Sequence, residues 1–367
     1  MKKVLFRVLL AVFVSVLVFS ACTKQASGST DGPTMRLLTD ATGIDDKSFN
    51  AAAWRGILEF YGDTWQNTTE RGKLYDVVSA QTPDMYIPNL RQATDEGYDL
   101  ICTTGFTFAD ALETVASQNP NQKYMIVDVD WVGLPNVLQV VFAEHEGSYL
   151  VGVATALKAR ADNIVNPRFG FIGGVPGSTI TKFEVGYIQG ILSIYPNAQI
   201  VDYYTNDWGR PDLAKTQAMN WYDNGVYAIY SAAGGSGNGT IAQAKEYRQA
   251  GRNVWAIGVD SDQHEEGIYS GNNSAVLTSM LKLVESGVLY GLNAVKNNTF
   301  RGEVISLDLQ AEGVGYSTTN SAMTADIKTE LERVKQQIIN GQIRIAATYA
   351  EARQLTGFPQ NLLAQDD

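Results

Sequence analysis

Short, continuously apolar runs that alternate with stretches of helical periodicity constrain this chain more than any other feature. Runs of this kind occupy residues 35–40, 74–80, 100–105, 123–130 and 137–142, and the pattern restarts at 168–174, 198–205, 226–233 and 253–260. Strands covered on both faces read as unbroken apolar runs, not as an alternation of apolar and polar residues. Between them, residues 50–61 place Ala53, Trp54, Ile57, Leu58 and Tyr61 at spacings of three and four, and residues 148–160, 182–194, 213–223 and 241–250 repeat that spacing. Alternating β and α elements predict an α/β fold with parallel sheets and helices on both faces. Two sets of strands, divided near Glu144, predict two lobes. The remainder reads as a helix over 275–296, a strand-like 303–309 and a helix over 323–340. Fragments returning to each lobe in turn would build a multi-segment hinge, with a cleft between the lobes. The expected division is 35–143 with about 266–300 in one lobe, and 144–265 with about 301–367 in the other.

The first residues read differently. Lys2, Lys3 and Arg7 precede an apolar run over 8–19, too short for a membrane span of ~20 residues. Small residues follow, then Cys22, the arrangement of a secretory leader over 1–21. Phe19-Ser20-Ala21-Cys22 resembles a lipobox, in which the cysteine is acylated and becomes the mature N-terminus; Phe19 stands where leucine is usual. Residues 22–34, small and polar, then form a flexible tether. Losing Lys2, Lys3 and Arg7 with the leader would take the formal charge from -11 to -14, which argues against nucleic acid or an anionic membrane surface as partner. With Cys22 acylated, Cys102 is the one thiol left, so neither an internal disulfide nor a cysteine metal cluster is expected.

In open parallel sheets ligands bind beyond the carboxyl ends of the strands. Those ends carry Asp40 and Asp45-Asp46-Lys47-Ser48-Phe49-Asn50, then Thr104-Gly105-Phe106 and Asp128-Val129-Asp130-Trp131, and in the second set Gly173-Gly174, Gly234-Gly235 and Asp260-Ser261-Asp262. Aromatic faces beside carboxylates and amides suit a nucleoside or a sugar and suit an anion badly. Plainer roles stay open: Asp45, Asp46 and Ser48 could cap a helix, Phe49 could belong to a core, and Asp260 could close a turn. Several motifs carry little weight. Gly234-Gly235-Ser236-Gly237-Asn238-Gly239 departs from a dinucleotide fingerprint, with Thr240 where the last glycine belongs. Ser279-Met280-Leu281-Lys282 matches S-x-x-K with no K-T-G after it. His145 and His264, the two histidines, lack helical metal spacing. No catalytic set, metal site or cofactor is predicted; the chain reads as a binder, not an enzyme.

In their order, Asp45-Asp46-Lys47-Ser48-Phe49-Asn50, Phe171-Ile172-Gly173-Gly174 and Ile257-Gly258-Val259-Asp260-Ser261-Asp262-Gln263 resemble the basic membrane protein family of lipoproteins, in particular its purine nucleoside receptors. Ser148-Tyr149-Leu150-Val151-Gly152 and Thr278-Ser279-Met280-Leu281-Lys282 add to the likeness, which spans nearly all of the mature chain. The resemblance implies the type I periplasmic binding protein fold. It also implies a monomer serving an ABC importer, with permease and ATPase subunits as partners, on the outer side of a cell membrane. It implies that Phe49 stacks on a purine, with Asp40, Asp46 and Asn50 reading its polar edge. Asp260 would accept from the ribose hydroxyls, Lys282 would share them and hold Asp260 charged, and Gly234 and Gly235 would let the backbone approach the sugar. A second aromatic, usually Phe in the family, would here be Tyr230, with Tyr227 nearby. Phe106 and Asp130 complete the expected ligand set.

Overall fold

Two six-stranded sheets carry the fold in the computed structural model, which describes residues 32–363. The first lobe is built from β1 (Met35–Thr39), α1 (Phe49–Tyr61), β2 (Tyr75–Ser79), α2 (Tyr86–Glu96), β3 (Leu100–Thr104), α3 (Ala109–Gln118), β4 (Tyr124–Val127) and β5 (Val137–Phe142). The chain then passes into α4 (Glu144–Ala161), β6 (Arg168–Gly173), α5 (Ser178–Leu192), β7 (Gln199–Tyr204), α6 (Pro211–Asp223), β8 (Val226–Ala232), α7 (Asn238–Gln249) and β9 (Trp255–Asp260). A small ribbon, β10 (Ile268–Ser270) with β11 (Asn273–Ser274), leads to β12 (Val276–Lys282). After it come α8 (Val284–Lys296), β13 (Val304–Leu307), β14 (Val314–Tyr316), α9 (Ala325–Ile339) and α10 (Tyr349–Ala352).

The strand orders are β2-β1-β3-β4-β5-β13 and β7-β6-β8-β9-β12-β14. Every pairing in the two large sheets is parallel except β12 with β14. The doubly wound α/β class expected from the alternation is therefore the observed one. β1, β3, β4, β8 and β9 are buried along their whole length, as strands covered by helices on both faces must be. In both sheets the order reverses beside the first strand, between β1 and β3 and between β6 and β8, and such switch points open a crevice beyond the strand ends.

The returning segments need a correction. Residues 275–296 do not form one helix: β12 joins the second sheet, and only α8 crosses back to pack on α1, β3 and β4. β13 joins the first sheet beside β5, and β14 then joins the second. The chain thus crosses at Ala143, at Leu283 and between Leu307 and Val314, in place of the expected breaks near 266 and 301. β12 is apolar from Val276 to Leu281 save for Thr278 and Ser279, a run that periodicity alone cannot assign to strand or buried helix.

α4 and α5 pack with almost no side chain between them. A Cβ on Gly152 would lie 2.3 Å from the Tyr187 carbonyl oxygen, and one on Gly190 would lie 2.2 Å from that of Tyr149. The C-terminal segment lies against the outer face of α5. The Gln189 side chain bonds both backbone groups of Ala346 at 2.9 Å, and Leu363 N–H donates to Asp202 at 2.6 Å. Tyr204 (2.5 Å) and Tyr349 both donate hydroxyls to Glu184, which is fully buried. Burial, with Asp202 adding to it, pushes the Glu184 carboxyl up to about 8 against the pull of the two tyrosines. The folded state therefore holds a proton that the unfolded chain releases near 4.5, so this group's stabilisation is lost as pH rises toward about 8. Glu184→Gln keeps an acceptor for both tyrosines without the charge. It is expected to raise the thermal midpoint at pH 9 by about 3–6 °C and to flatten its pH dependence, as read by calorimetric melts. No helix among the described residues is long and apolar enough to cross a membrane.

Candidate ligand-binding site

A cavity with about 590 Å³ of empty space, part of it open to solvent, lies where the carboxyl ends of both sheets meet. Of the expected ligand residues, Asp40, Asp46, Phe49, Asn50, Phe106, Gly234, Asp260 and Lys282 line it. They arrive from the ends of β1, β3, β8, β9 and β12, as the two switch points require.

One polar group gathers at the end of β1. Asp40 Oδ1 accepts from Thr42 N–H at 3.0 Å, from the Thr42 hydroxyl and from Asn50 Nδ2 at 3.1 Å. The Asn50 carbonyl oxygen in turn accepts the Thr104 hydroxyl at 2.6 Å, so this amide is fixed by the ends of two strands. Asp46 accepts three backbone N–H groups, Ser48 at 2.9 Å, Asn50 at 2.8 Å and Ala51 at 3.0 Å. It caps α1 as the plainer reading allowed, and it also faces the cavity. Burial pushes its carboxyl up to about 6 in spite of those three donors, with Asp40 adding to the rise.

The other polar group surrounds Lys282, the last residue of β12, which is 1 % exposed. Its Nζ lies 2.6 Å from Asp128 Oδ1 and 2.9 Å from Glu144 Oε1. The rings of Phe49, Phe142 and Phe183 stand 5.0, 5.1 and 5.4 Å from it. Burial would push this ammonium down, but Asp128, Glu144 and Asp260 outweigh burial and raise it. Burial also pushes Asp128 and Asp260 up to about 6 each, with Lys282 pulling both back. Asp128 at φ 72° and Asp260 at φ 62° occupy the left-handed region. Strain of that kind concentrates where a surrounding structure must aim particular groups. Asp260 accepts the Ser48 hydroxyl at 2.5 Å, and Ser261 Oγ donates to the Ser48 carbonyl at 3.0 Å, so the lobes meet across the cleft.

Three of the expected ligand residues, Asp130, Tyr230 and Gly235, do not line the cavity. Asp130 is exposed and does not line the cavity; β4 ends at Val127, and Asp128, in a left-handed turn, is the carboxylate there instead. Tyr230 is fully buried, its hydroxyl 3.2 Å from Ser148 Oγ and its ring against Phe171 and Tyr187, so it is a core residue. Tyr227 is likewise buried, donating to Asp162. A Cβ on Gly235 would lie 3.1 Å from the Trp208 carbonyl oxygen, while its neighbour Gly234, at φ 53°, lines the cavity. Lys282 pairs directly with Asp128 and Glu144, and from farther off it still favours the charged form of Asp260, as the resemblance implied.

Trp208, Phe183, Thr42 and Asp128 also line the cavity, outside the ligand set that the sequence implies. Trp208 follows β7 at one more strand end, the signal that could have found it, and its ring meets Phe106 of the other lobe edge-on at 6.1 Å. Phe183 sits in the first turns of α5 and carried no such signal. Ser279 is buried within β12, where its hydroxyl accepts from Gln263 N–H, so the S-x-x-K match places no serine on the cavity.

Comparison with known proteins places this architecture. The chain is 35% identical over 361 residues to a CD4+ T-cell-stimulating antigen of Listeria innocua, covering 94% of this chain and 99% of the relative. It is 31% identical over 358 residues to the ABC transporter nucleoside-binding protein BmpA of Lactococcus lactis, covering 94% and 99%. Among solved structures, an ABC transporter solute-binding protein of Aeropyrum pernix superposes with a TM-score of 0.74 at 26% identity, over 86% of this chain and 94% of that one. A solute-binding protein of Actinobacillus succinogenes with bound D-allose shares the two-lobed type I fold at a TM-score of 0.55 and 17% identity, over 81% and 99%. The family described as ABC transporter substrate-binding protein PnrA-like (Bmp) matches residues 35–349, and this chain belongs to it.

Proposed function

We propose that this protein captures purine nucleosides (guanosine, inosine, adenosine) in the interlobe cleft and delivers them to an ABC permease. We further propose that it does so while held to the membrane by a lipid on Cys22. The leader, Cys22 and the tether up to residue 31 lie outside the described residues, so the anchor rests on the sequence reading. The observation that carries the ligand is the pairing of polar groups around Phe49. Its ring faces Lys282 at 5.0 Å, and its chain neighbour Asn50 belongs to the Asp40 group. A flat base against Phe49 would meet Asp40, Asp46 and Asn50 as hydrogen-bonding partners. A ribose would meet Asp128, Asp260 and Lys282. The nucleoside-binding name of the Lactococcus lactis relative supports the same ligand class.

The charge balance sharpens the choice. Among the described residues, Lys282 is the one lysine or arginine on the cavity, and Asp128 and Glu144 already compensate it. Four aspartates share the lining. A phosphate would bring further negative charge into a site with no cation free to pair with it. Guanosine is therefore expected to bind while guanosine 5′-monophosphate does not. 2′-Deoxyguanosine is expected to bind more weakly, because a site built for a hydroxyl leaves polar groups unpaired without it. Competition titrations with these three ligands test the proposal; equal affinity for nucleoside and nucleotide would contradict it.

A further inference from the structure

Glu144 is a buried acid that no ligand contact uses. Its side chain is 1 % exposed, yet it is not among the residues lining the cavity. It opens α4 directly after the first crossing between the lobes, while Lys282 ends β12 one residue before the second. The residues beside the pair tie both crossings to the third: Ala143 N–H donates to the Leu307 carbonyl, and Leu283 N–H to that of Gly313. The Glu144–Lys282 ion pair, 2.9 Å long, thus sits at the pivot. Glu144 Oε2 has no hydrogen-bond partner, and Lys182 Nζ of α5 stands 3.5 Å from it.

We propose, on the reading of the cavity as a nucleoside site, that Glu144 is its positioning residue, sharing the Lys282 ammonium with Asp128 from behind so that Asp260 and the second oxygen of Asp128 stay open to the ligand. Without Glu144, the ammonium's remaining partners are those two ligand-facing carboxylates, which it would draw away from the sugar. Glu144 also acts in the opposite sense. Its negative charge adds to the rise of both Asp128 and Asp260. The other charged groups facing this cluster are Lys282 from β12, Lys182 from α5 and Asp46 ahead of α1; His145 follows Glu144 on α4, with Glu351 of α10 near it. Removing the Glu144 charge leaves those two aspartates easier to ionise, a response that loss of packing alone would not produce.

The test is the affinity for guanosine between pH 5 and pH 8, measured by calorimetry on the wild type, Glu144→Gln and Lys182→Gln. Glu144→Gln is expected to bind about tenfold more weakly at pH 7.5, as when a residue that orients another ligand is lost. Its acid limb should nevertheless move about one pH unit lower. Lys182→Gln, which leaves Glu144 less compensated, should move the limb higher. Weaker binding of Glu144→Gln with an unmoved acid limb, or unchanged affinity and profile, would overturn the positioning role while leaving the nucleoside site standing. If Glu144→Gln does not fold, Lys182→Gln decides: an upward move supports the role and an unmoved limb overturns it. A wild type that binds no nucleoside overturns the ligand reading and this role with it.

Discussion

Asp260→Asn is expected to lower the affinity for guanosine about 100-fold while leaving the fold intact. The residue sits at φ 62°, a conformation that asparagine tolerates far better than alanine. An asparagine carbonyl can still accept the Ser48 hydroxyl, which now bonds Asp260 at 2.5 Å. What disappears is the second carboxylate oxygen and the negative charge that faces the ribose. Hydrogen bonds to a charged acceptor contribute about 1.5–3 kcal/mol each, so losing one or two gives the predicted effect. Calorimetric titration supplies the affinity and a thermal melt the control. A normal affinity with a normal melt would remove Asp260 from the site.

The second large effect concerns stability. Lys282→Met should lower the thermal midpoint at pH 7.5 by about 5–10 °C and recover much of the loss at pH 5. Lys282 is the buried cation between Asp128 and Glu144, and taking one partner from a buried ion pair costs about 3–5 kcal/mol because the other is left uncompensated. The sign with pH follows from the carboxyls. Asp128 and Asp260 already rise to about 6 with the lysine present, and without its pull they rise further. The folded variant then takes up protons that the unfolded chain does not hold above about pH 4, so its stability increases as pH falls. Melts of both proteins at the two pH values check this. A deficit that is equal at pH 5 and pH 7.5 would mean that the carboxylates do not carry the strain.

Much of this was legible because buried parallel strands write themselves as apolar runs. The nine strands from β1 to β9 lie within the runs at 35–40 through 253–260. Their ends then led to Asp40, Phe49, Phe106, Gly234 and Asp260, all on the cavity. The exact end of a strand is not written in an apolar run. The run 123–130 does not show that β4 stops at Val127 and that Asp128, not Asp130, turns onto the cavity. Tyr230 has the residue type for stacking, but its inward place in β8 is a matter of three-dimensional packing. The crossings escaped because β12 and α8 share one apolar stretch, which fits a strand or a buried helix equally well. Glu144 was seen only as the division between lobes; its meeting with Lys282 joins residues far apart in the chain, and no local pattern encodes it.

The central claim is that the cleft between the lobes holds a purine nucleoside. Calorimetry of the chain from residue 32 onward, against guanosine, inosine, adenosine, cytidine, uridine, ribose and NAD, tests it, with Phe49→Ala as the control for the cleft. Heat and saturation are expected with the purine nucleosides, each recovered unchanged, with weak or no binding of the others and loss of purine binding in Phe49→Ala. Binding of ribose or NAD with no heat from any purine nucleoside, or full affinity in Phe49→Ala, would contradict it.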